Sequence, residues 1–213
     1  MIQIKCFVFG PFMENTYLLY DNTKECIIVD PGCYTETEKS EIKDFVTENE
    51  LMVKLLVNTH CHIDHVLGNS FIKDQYKVDL VLHPKEEELL KAVKAYAPGY
   101  GFPLYQEATI DHYLEEGDHV TFGNSTFEVI LVPGHSPGHI ALFHQDQKIC
   151  IGGDVLFQGS IGRTDLPGGD YQQLIDSIKQ KLFPLGDGVK VYSGHGPVTD
   201  IGTEKISNPF VGI

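Results

Sequence analysis

Residues 58–65 read Asn58-Thr59-His60-Cys61-His62-Ile63-Asp64-His65, three imidazoles and a carboxylate within six positions, directly after the apolar run Val53 to Val57. Neutral imidazole and carboxylate suit zinc and related divalent ions, and four ligands fill a tetrahedral shell. If Val53 to Val57 is a buried strand, its end fixes the backbone while His60 and His62, two apart in extended chain, point the same way. Asp64 and His65 then leave in another direction. Cys61, between the two histidines, faces the opposite side and is expected as a buried thiol rather than a ligand. One loop rarely closes a metal shell alone. Further donors stand in similar settings: His135 in Val132-Pro133-Gly134-His135-Ser136-Pro137-Gly138-His139, Asp154 in Gly152-Gly153-Asp154-Val155, and His195 in Ser193-Gly194-His195-Gly196-Pro197. Each follows an apolar, strand-like run, and in a layered α/β fold ligands gather at the ends of neighbouring strands. Seven donors are too many for one zinc.

The elements that must carry these donors alternate strands with helices. Ile2 to Phe9, Thr16 to Tyr20 and Cys26 to Val29 are separated by Gly, Pro, Asn and Asp and read as one antiparallel sheet. Thr35 with Glu38 resembles a capping box opening a helix to about Asn49. Beyond the His loop the pattern predicts a helix over Val66 to Tyr76, a strand over Val78 to Leu82, and a further helix opened by Pro84 and the glutamates after it. In the second half, Gly123-Asn124 signals a hairpin between Val120–Phe122 and Phe127–Val132. Ile140 to Phe143 and Ile149 to Ile151 add strands, Asp170 and Gln173 cap a helix running to Leu182 before Pro184, and Val189 to Tyr192 leads into His195.

Length and charge bound the rest. A chain of 213 residues, 42% hydrophobic with 21 Gly and 11 Pro, predicts a single well-buried domain over 1–213. The formal net charge of -14 opposes a phosphate backbone, and no Lys/Arg cluster makes a local exception, so no nucleic-acid partner is expected. No apolar stretch reaches the eighteen or more residues a membrane helix needs, and the start lacks a charged leader. Five cysteines, an odd number without paired spacing, fit a reducing compartment. A cytoplasmic protein with no membrane association follows as the expectation.

The order of these motifs resembles the metallo-β-lactamase superfamily, from about Phe7 to His195. Gly152 to Asp170, GGDVLFQGSIGRTDLPGGD, is similar to the short glyoxalase II-like (hydroxyacylglutathione hydrolase-like) proteins, as are Asp30-Pro31-Gly32 and Glu14-Asn15-Thr16-Tyr17. The resemblance implies an α/β fold, the four-layer αββα sandwich of metallo-β-lactamase type. It implies two divalent metal ions as cofactors, zinc first and iron or manganese after it. One ion is then held by His60, His62 and His135, the second by Asp64, His65 and His195, with Asp154 bridging them. Asp64 and Asp154 are the candidate catalytic residues.

Around this set stand residues with two readings each. Asp30 is a candidate to accept the free N–H of a ligating imidazole, which fixes its tautomer; otherwise it is a plain strand-end turn before Pro31. His139 is a candidate to orient the His135 loop. Asn15 lines the cleft by family analogy or is a turn residue. Arg163 lies near the place where the family puts a cationic substrate contact, or pairs structurally with Asp165. Tyr96, Tyr100, Phe102 and Tyr105 surround Pro98-Gly99 and Gly101, as the wall of an apolar acyl pocket or as a surface or dimer-contact loop. His83, His112, His119 and His144 are expected to be exposed or packing residues.

Two divalent ions sharing a metal-bridging hydroxide lower its pKa to about 7 and make the nucleophile from water. A thiolate leaving group, with a pKa near 8.5, departs without a strong general acid. No dedicated acid is evident in the sequence, which favours a small-molecule thioester, S-lactoylglutathione or a related acyl thioester. Asp64 is also placed to take a proton as attack proceeds. Two departures leave the thiol carrier open: the residues after His195 are too few for the C-terminal helical domain of full-length relatives, and Gly196-Pro197 replaces the Glu-Tyr found there. The main alternative is a mononuclear iron persulfide dioxygenase using His60, His135 and Asp154 as a facial triad. A lactonase, a β-lactamase and a metal-dependent binding module without turnover are the others.

Overall fold

A computed structural model describes residues 1–212. The chain divides into two compact units, Met1–Leu114 with Thr121–Thr126, and Glu115–Val120 with Phe127 onward.

In the first unit β1 (Gln3–Phe9), β2 (Glu14–Tyr20) and β3 (Glu25–Val29) run antiparallel. After α1 (Glu36–Glu48), the strands β4 (Met52–Val57), β5 (Asp79–Leu82) and β6 (His112–Tyr113) join the same sheet in parallel, in the order β1-β2-β3-β4-β5-β6. The antiparallel sheet expected from the first three runs is thus half of a mixed one. Parallel pairing follows because the chain returns through helices, and a crossover must bring it back to the same end of the sheet. Thr35 and Glu38 form the reciprocal capping box of α1. Glu38 also accepts from the amides of Gly10 and Tyr34, each at 2.9 Å, tying the β1–β2 turn to the helix start.

The helix expected over Val66 to Tyr76 comes in two pieces, α2 (Ile63–Val66) and α3 (Asn69–Tyr76). It starts three residues early and breaks at Leu67-Gly68, where the Gly68 amide donates to the Pro31 carbonyl at 2.7 Å. That bond anchors the segment to the end of β3. After β5, a 3-10 turn at Pro84–Glu86 leads into α4 (Glu87–Tyr96). Leu18, Ile28, Leu56, Ile72, Leu80, Leu82 and Leu90 are buried together as the core of this unit. Each contributes about 1.5–3 kcal/mol of burial free energy.

The second sheet runs through β7 (His119–Phe122), β8 (Ser125–Leu131), β9 (Ile140–His144) and β10 (Ile149–Gly153). A separate hairpin of β11 (Leu156–Phe157) and β12 (Ser160–Ile161) follows, then α5 (Tyr171–Ser177), β13 (Lys190–Ser193), β14 (Thr199–Asp200) and α6 (Ile201–Ser207). Sheet order is β14-β13-β10-β9-β8-β7, with β10 parallel to β13 and antiparallel to β9. Asp170 caps α5 by accepting from Gln173 N at 2.9 Å. The α-helix expected to reach Leu182 ends at Ser177 and widens into a π turn over Ile178–Leu182. Val132, Ala141, Cys150, Leu174, Ile178 and Val191 lie in the core of this unit.

The β7–β8 turn, expected from Gly123-Asn124, groups with the first unit. There Asp21 accepts from Asn124 N at 2.7 Å and from the Ser125 hydroxyl at 2.9 Å. Among the described residues no helix is long and apolar enough to cross a membrane.

Candidate metal centre

In the first unit the C-terminal ends of three parallel strands lie side by side, and the chain leaves each one with a polar residue. Asp30 follows β3, Asn58 to His65 follow β4, and His83 follows β5. Asp30 has φ +50°, a left-handed conformation that Asp tolerates better than most residues. Its carboxylate accepts from Thr59 N at 2.7 Å and from the Thr59 hydroxyl at 2.5 Å. The same carboxylate stands 3.2 Å from His65 Nδ1. With Nδ1 so engaged, Nε2 is the nitrogen His65 presents to a metal. The Asp30 carboxylate thus engages both Thr59 and the His65 ring.

The rings of His60 and His62 lie 4.8 Å apart and nearly perpendicular, and those of His60 and His65 are 4.1 Å apart. Donor atoms of Asp30, His60 and His65 all fall within 4.8 Å of one another. Asp64 Oδ2 is 3.9 Å from His65 Nε2. The four loop donors thus converge on one side of the first unit. The Asn58 amide nitrogen donates to His65 O at 3.0 Å, and Asn69 donates to Asn58 Oδ1 at 2.7 Å, so two buried amides brace the turn into α2. Cys61 is fully buried in the apolar cluster. Burial, together with the charges of Glu86 and Asp30, pushes its thiol well above the usual range.

Glu14 is a buried carboxyl beside this loop that sequence reasoning gave no role. It is 1% exposed, accepts from the Thr16 hydroxyl at 2.8 Å through Oε2, and places Oε1 3.9 Å from His65 Nδ1. Burial raises its pKa well above the carboxylate range; the nearby His65 opposes this, while Asp30 and Asp64 add to it. In the sequence it opens β2, ahead of the apolar pair Leu18-Leu19. At Gly32 a Cβ would fall 2.2 Å from Glu14 Oε2 and 2.7 Å from the Asp64 carbonyl, so the chain passes where no side chain fits. Asn15 lies inside β2 and is buried, which rules out its reading as a turn residue.

In the second unit the donors come from three loops. His135 Nδ1 donates to the Arg163 carbonyl at 2.7 Å, which leaves Nε2 for a metal. Asp154 Oδ2 lies 3.6 Å from His135 Nε2 and 3.4 Å from His195 Nε2. One carboxylate oxygen therefore faces two imidazoles. His139 Nε2 accepts from Asp154 N at 3.0 Å, and its ring lies 6.0 Å from that of His135. A Cβ at Gly162 would fall 1.9 Å from the Asp154 carbonyl and 3.1 Å from His135 Nδ1. The Arg163 guanidinium makes two bonds of 2.7 Å to Asp165, both side chains being exposed.

Of the other histidines, His83 is buried and caps the Pro84 turn by accepting from Lys85 N at 3.2 Å, while His112 and His119 are exposed. The aromatic loop packs on the β1–β2 turn: Phe12 lies 6.4 Å from Tyr100 and 6.2 Å from Phe102, and Tyr96 lies 5.7 Å from Tyr100. Burial, then the charge of Asp64, pushes the Tyr96 phenol up to about 12.

The donor chemistry in each unit fits a divalent ion: imidazoles with their far nitrogens held by Asp30 or by a carbonyl, and carboxylates among them. Comparison with known proteins agrees. The model of the metallo-β-lactamase superfamily matches residues 9–195. Hydroxyacylglutathione hydrolase GloC of Haemophilus influenzae is 38% identical over 202 residues, 94% of this chain and 93% of GloC. Among solved structures, the BLEG-1 B3 metallo-β-lactamase is 37% identical with a TM-score of 0.89, over 98% of this chain and 99% of that one. TTHA1623 in a di-iron-bound form is 33% identical with a TM-score of 0.85, over 97% and 99%.

Proposed function

The chain belongs to the metallo-β-lactamase superfamily of metal-dependent hydrolases, and on that premise we propose that it is a binuclear thioesterase acting on S-lactoylglutathione or a related small acyl thioester. One observation supports the metal chemistry most: Asp154 Oδ2 lies within 3.6 Å of His135 Nε2 and 3.4 Å of His195 Nε2, two imidazoles that this reading assigns to different ions. In this reading His60, His62 and His135 would hold the first ion and Asp64, His65 and His195 the second, with Asp154 a ligand as well. Proteins of this superfamily bind divalent metals, and zinc is our assignment, with the di-iron relative making iron the next choice. When bound, such ions supply a water-derived nucleophile near neutral pH and draw charge from the scissile carbonyl.

The remaining work falls to the protein. Asp30 and the Arg163 carbonyl fix two imidazoles in the tautomer that leaves Nε2 for the metal. Asp64 is exposed enough, at the edge of the His loop, to take a proton from the attacking water. A thiolate leaving group, with a pKa of about 8.5, needs no dedicated acid. Phe12, Tyr96 and Tyr100 form the wall against which an acyl group lies. The 38% identity to GloC supports the thioester class, and the glutathione carrier is the finer part of the proposal.

The test is metal analysis of protein purified without added metal, run beside S-lactoylglutathione hydrolysis and persulfide-dependent oxygen uptake. Two equivalents of metal with thioester cleavage support the reading. One iron with oxygen consumption and no cleavage overturns it.

A further inference from the structure

The hydrolase reading leaves a second buried carboxylate at the same strand ends without a task. β4 lies between β3 and β5, and the backbone ladder continues one step beyond it: Asp30 N donates to Val57 O and Asn58 N to Val81 O, each at 3.0 Å. There the peptide partners run out, because β3 ends at Val29 and β5 at Leu82. Two carboxylates take over. On the β3 flank Thr59 N donates to Asp30 Oδ1 at 2.7 Å. On the β5 flank Cys61 N donates to Glu86 Oε2 at 2.8 Å.

Glu86 is 0% exposed and closes the 3-10 turn after β5. That turn is itself fixed, with Glu86 N donating to His83 O at 2.9 Å and Lys85 N to His83 Nδ1 at 3.2 Å. Cys61 is the residue between His60 and His62, so its peptide joins the two backbone positions that carry those nearly perpendicular rings. Any buried amide needs an acceptor, and a carboxylate is the most costly one to desolvate. Glu86 Oε2 supplies that acceptor for the Cys61 amide at 2.8 Å.

We propose that Glu86 is the positioning residue for the His60/His62 ligand pair, the β5-side counterpart of Asp30, clamping the intervening peptide so that both imidazoles meet one metal ion. It rests on the metal-hydrolase reading. It also explains why the glutamate run after Pro84 matters beyond the helix dipole, since the first of those glutamates turns inward while Glu87 and Glu88 pair with Lys91.

The test compares wild type with Glu86→Ala, Glu86→Gln and Glu86→Asp by chelator competition for zinc and by the visible spectrum of the cobalt-loaded protein. Glu86→Ala is expected to weaken metal binding about 10- to 100-fold and to alter the cobalt spectrum, as loss of such outer partners does. Glu86→Gln keeps an oxygen at the same reach and restores affinity to within about threefold. If the alanine variant fails to fold, Glu86→Asp, which withdraws the acceptor by one methylene, takes its place and is expected to fall between the two. Unchanged affinity and spectrum in the alanine or aspartate variant overturns the proposal, as does equal loss in the glutamine and alanine variants. Wild-type protein that takes up no metal at all overturns the hydrolase reading, and the role of Glu86 with it.

Discussion

In the first unit one short loop carries His60, His62, Asp64 and His65, held from the sides by carboxylates of neighbouring strand ends, whereas in the second each of three loops contributes a single donor. The supports differ as well. The second unit relies on main-chain contacts: the Arg163 carbonyl on His135, the Asp154 amide on His139, and the Gly194 amide on the Gly153 carbonyl at 2.8 Å. Clustered donors share their scaffold, so removing one leaves others correctly placed. Dispersed donors have no substitute within their own loop.

Breaking this contrast starts with Asp154, whose one oxygen faces two imidazoles. Asp154→Ala is expected to lower kcat/KM for thioester cleavage by at least about 10³-fold, because it forfeits several kcal/mol of metal-dependent stabilisation. His62→Ala, in a loop that keeps three donors, is expected to lose roughly tenfold less. Steady-state kinetics on variants of matched circular dichroism decide this, and equal losses would erase the distinction between the units.

Stripping the metal with a chelator probes both donor sets together. Metal at about 100 times its Kd stabilises the folded state by about 2.7 kcal/mol. For a chain of this length that is a rise in Tm of roughly 5–10 °C. Thermal melts with and without added zinc measure it; coincident melts count against a preformed site.

Asp30→Asn sharpens the description of the clustered side. It keeps an acceptor for Thr59 but loses the charge beside His65 Nδ1, and metal affinity is expected to fall about 10- to 100-fold. Chelator competition gives the value, and an affinity equal to wild type would show that His65 needs no charged partner.

The smallest expected effect concerns the hairpin tip grouped with the first unit. Burial disfavours the charge on Asp21, but bonds from Thr23, Asn124 and Ser125 outweigh it and bring the carboxyl down to about 2. The folded value lies below the unfolded one, so this stabilisation is complete above about pH 5 and is lost as pH falls through 4 toward 2. At pH 7 it amounts to roughly 2 kcal/mol. Urea unfolding of wild type and Asp21→Asn should therefore differ at pH 7 and converge near pH 2; a gap independent of pH would assign the effect to packing.

The sequence made the clustered donors plain, because three histidines and an aspartate in six positions after an apolar run leave few other readings. The dispersed donors emerged through their glycine-rich settings and their likeness to a family. Strands and caps were legible where turn residues punctuate them: the Thr35–Glu38 box, the Asp170 cap and the Gly123-Asn124 turn all form. The helix break at Leu67-Gly68 was not legible, since its cause is a bond to Pro31, more than thirty residues away in the chain. Glu14 and Glu86 were missed for a related reason. Glutamates in a strand and at a helix start read as surface residues, and burial depends on which strands flank them.

The bond from His135 to residue 163 reaches a main-chain carbonyl, while the guanidinium of the same residue turns outward to Asp165. Every amino acid carries that carbonyl. Position 163 can thus change its side chain, and with it the charge offered at the surface, while the imidazole keeps its grip. A single residue thus separates a fixed main-chain anchor from a side chain open to change.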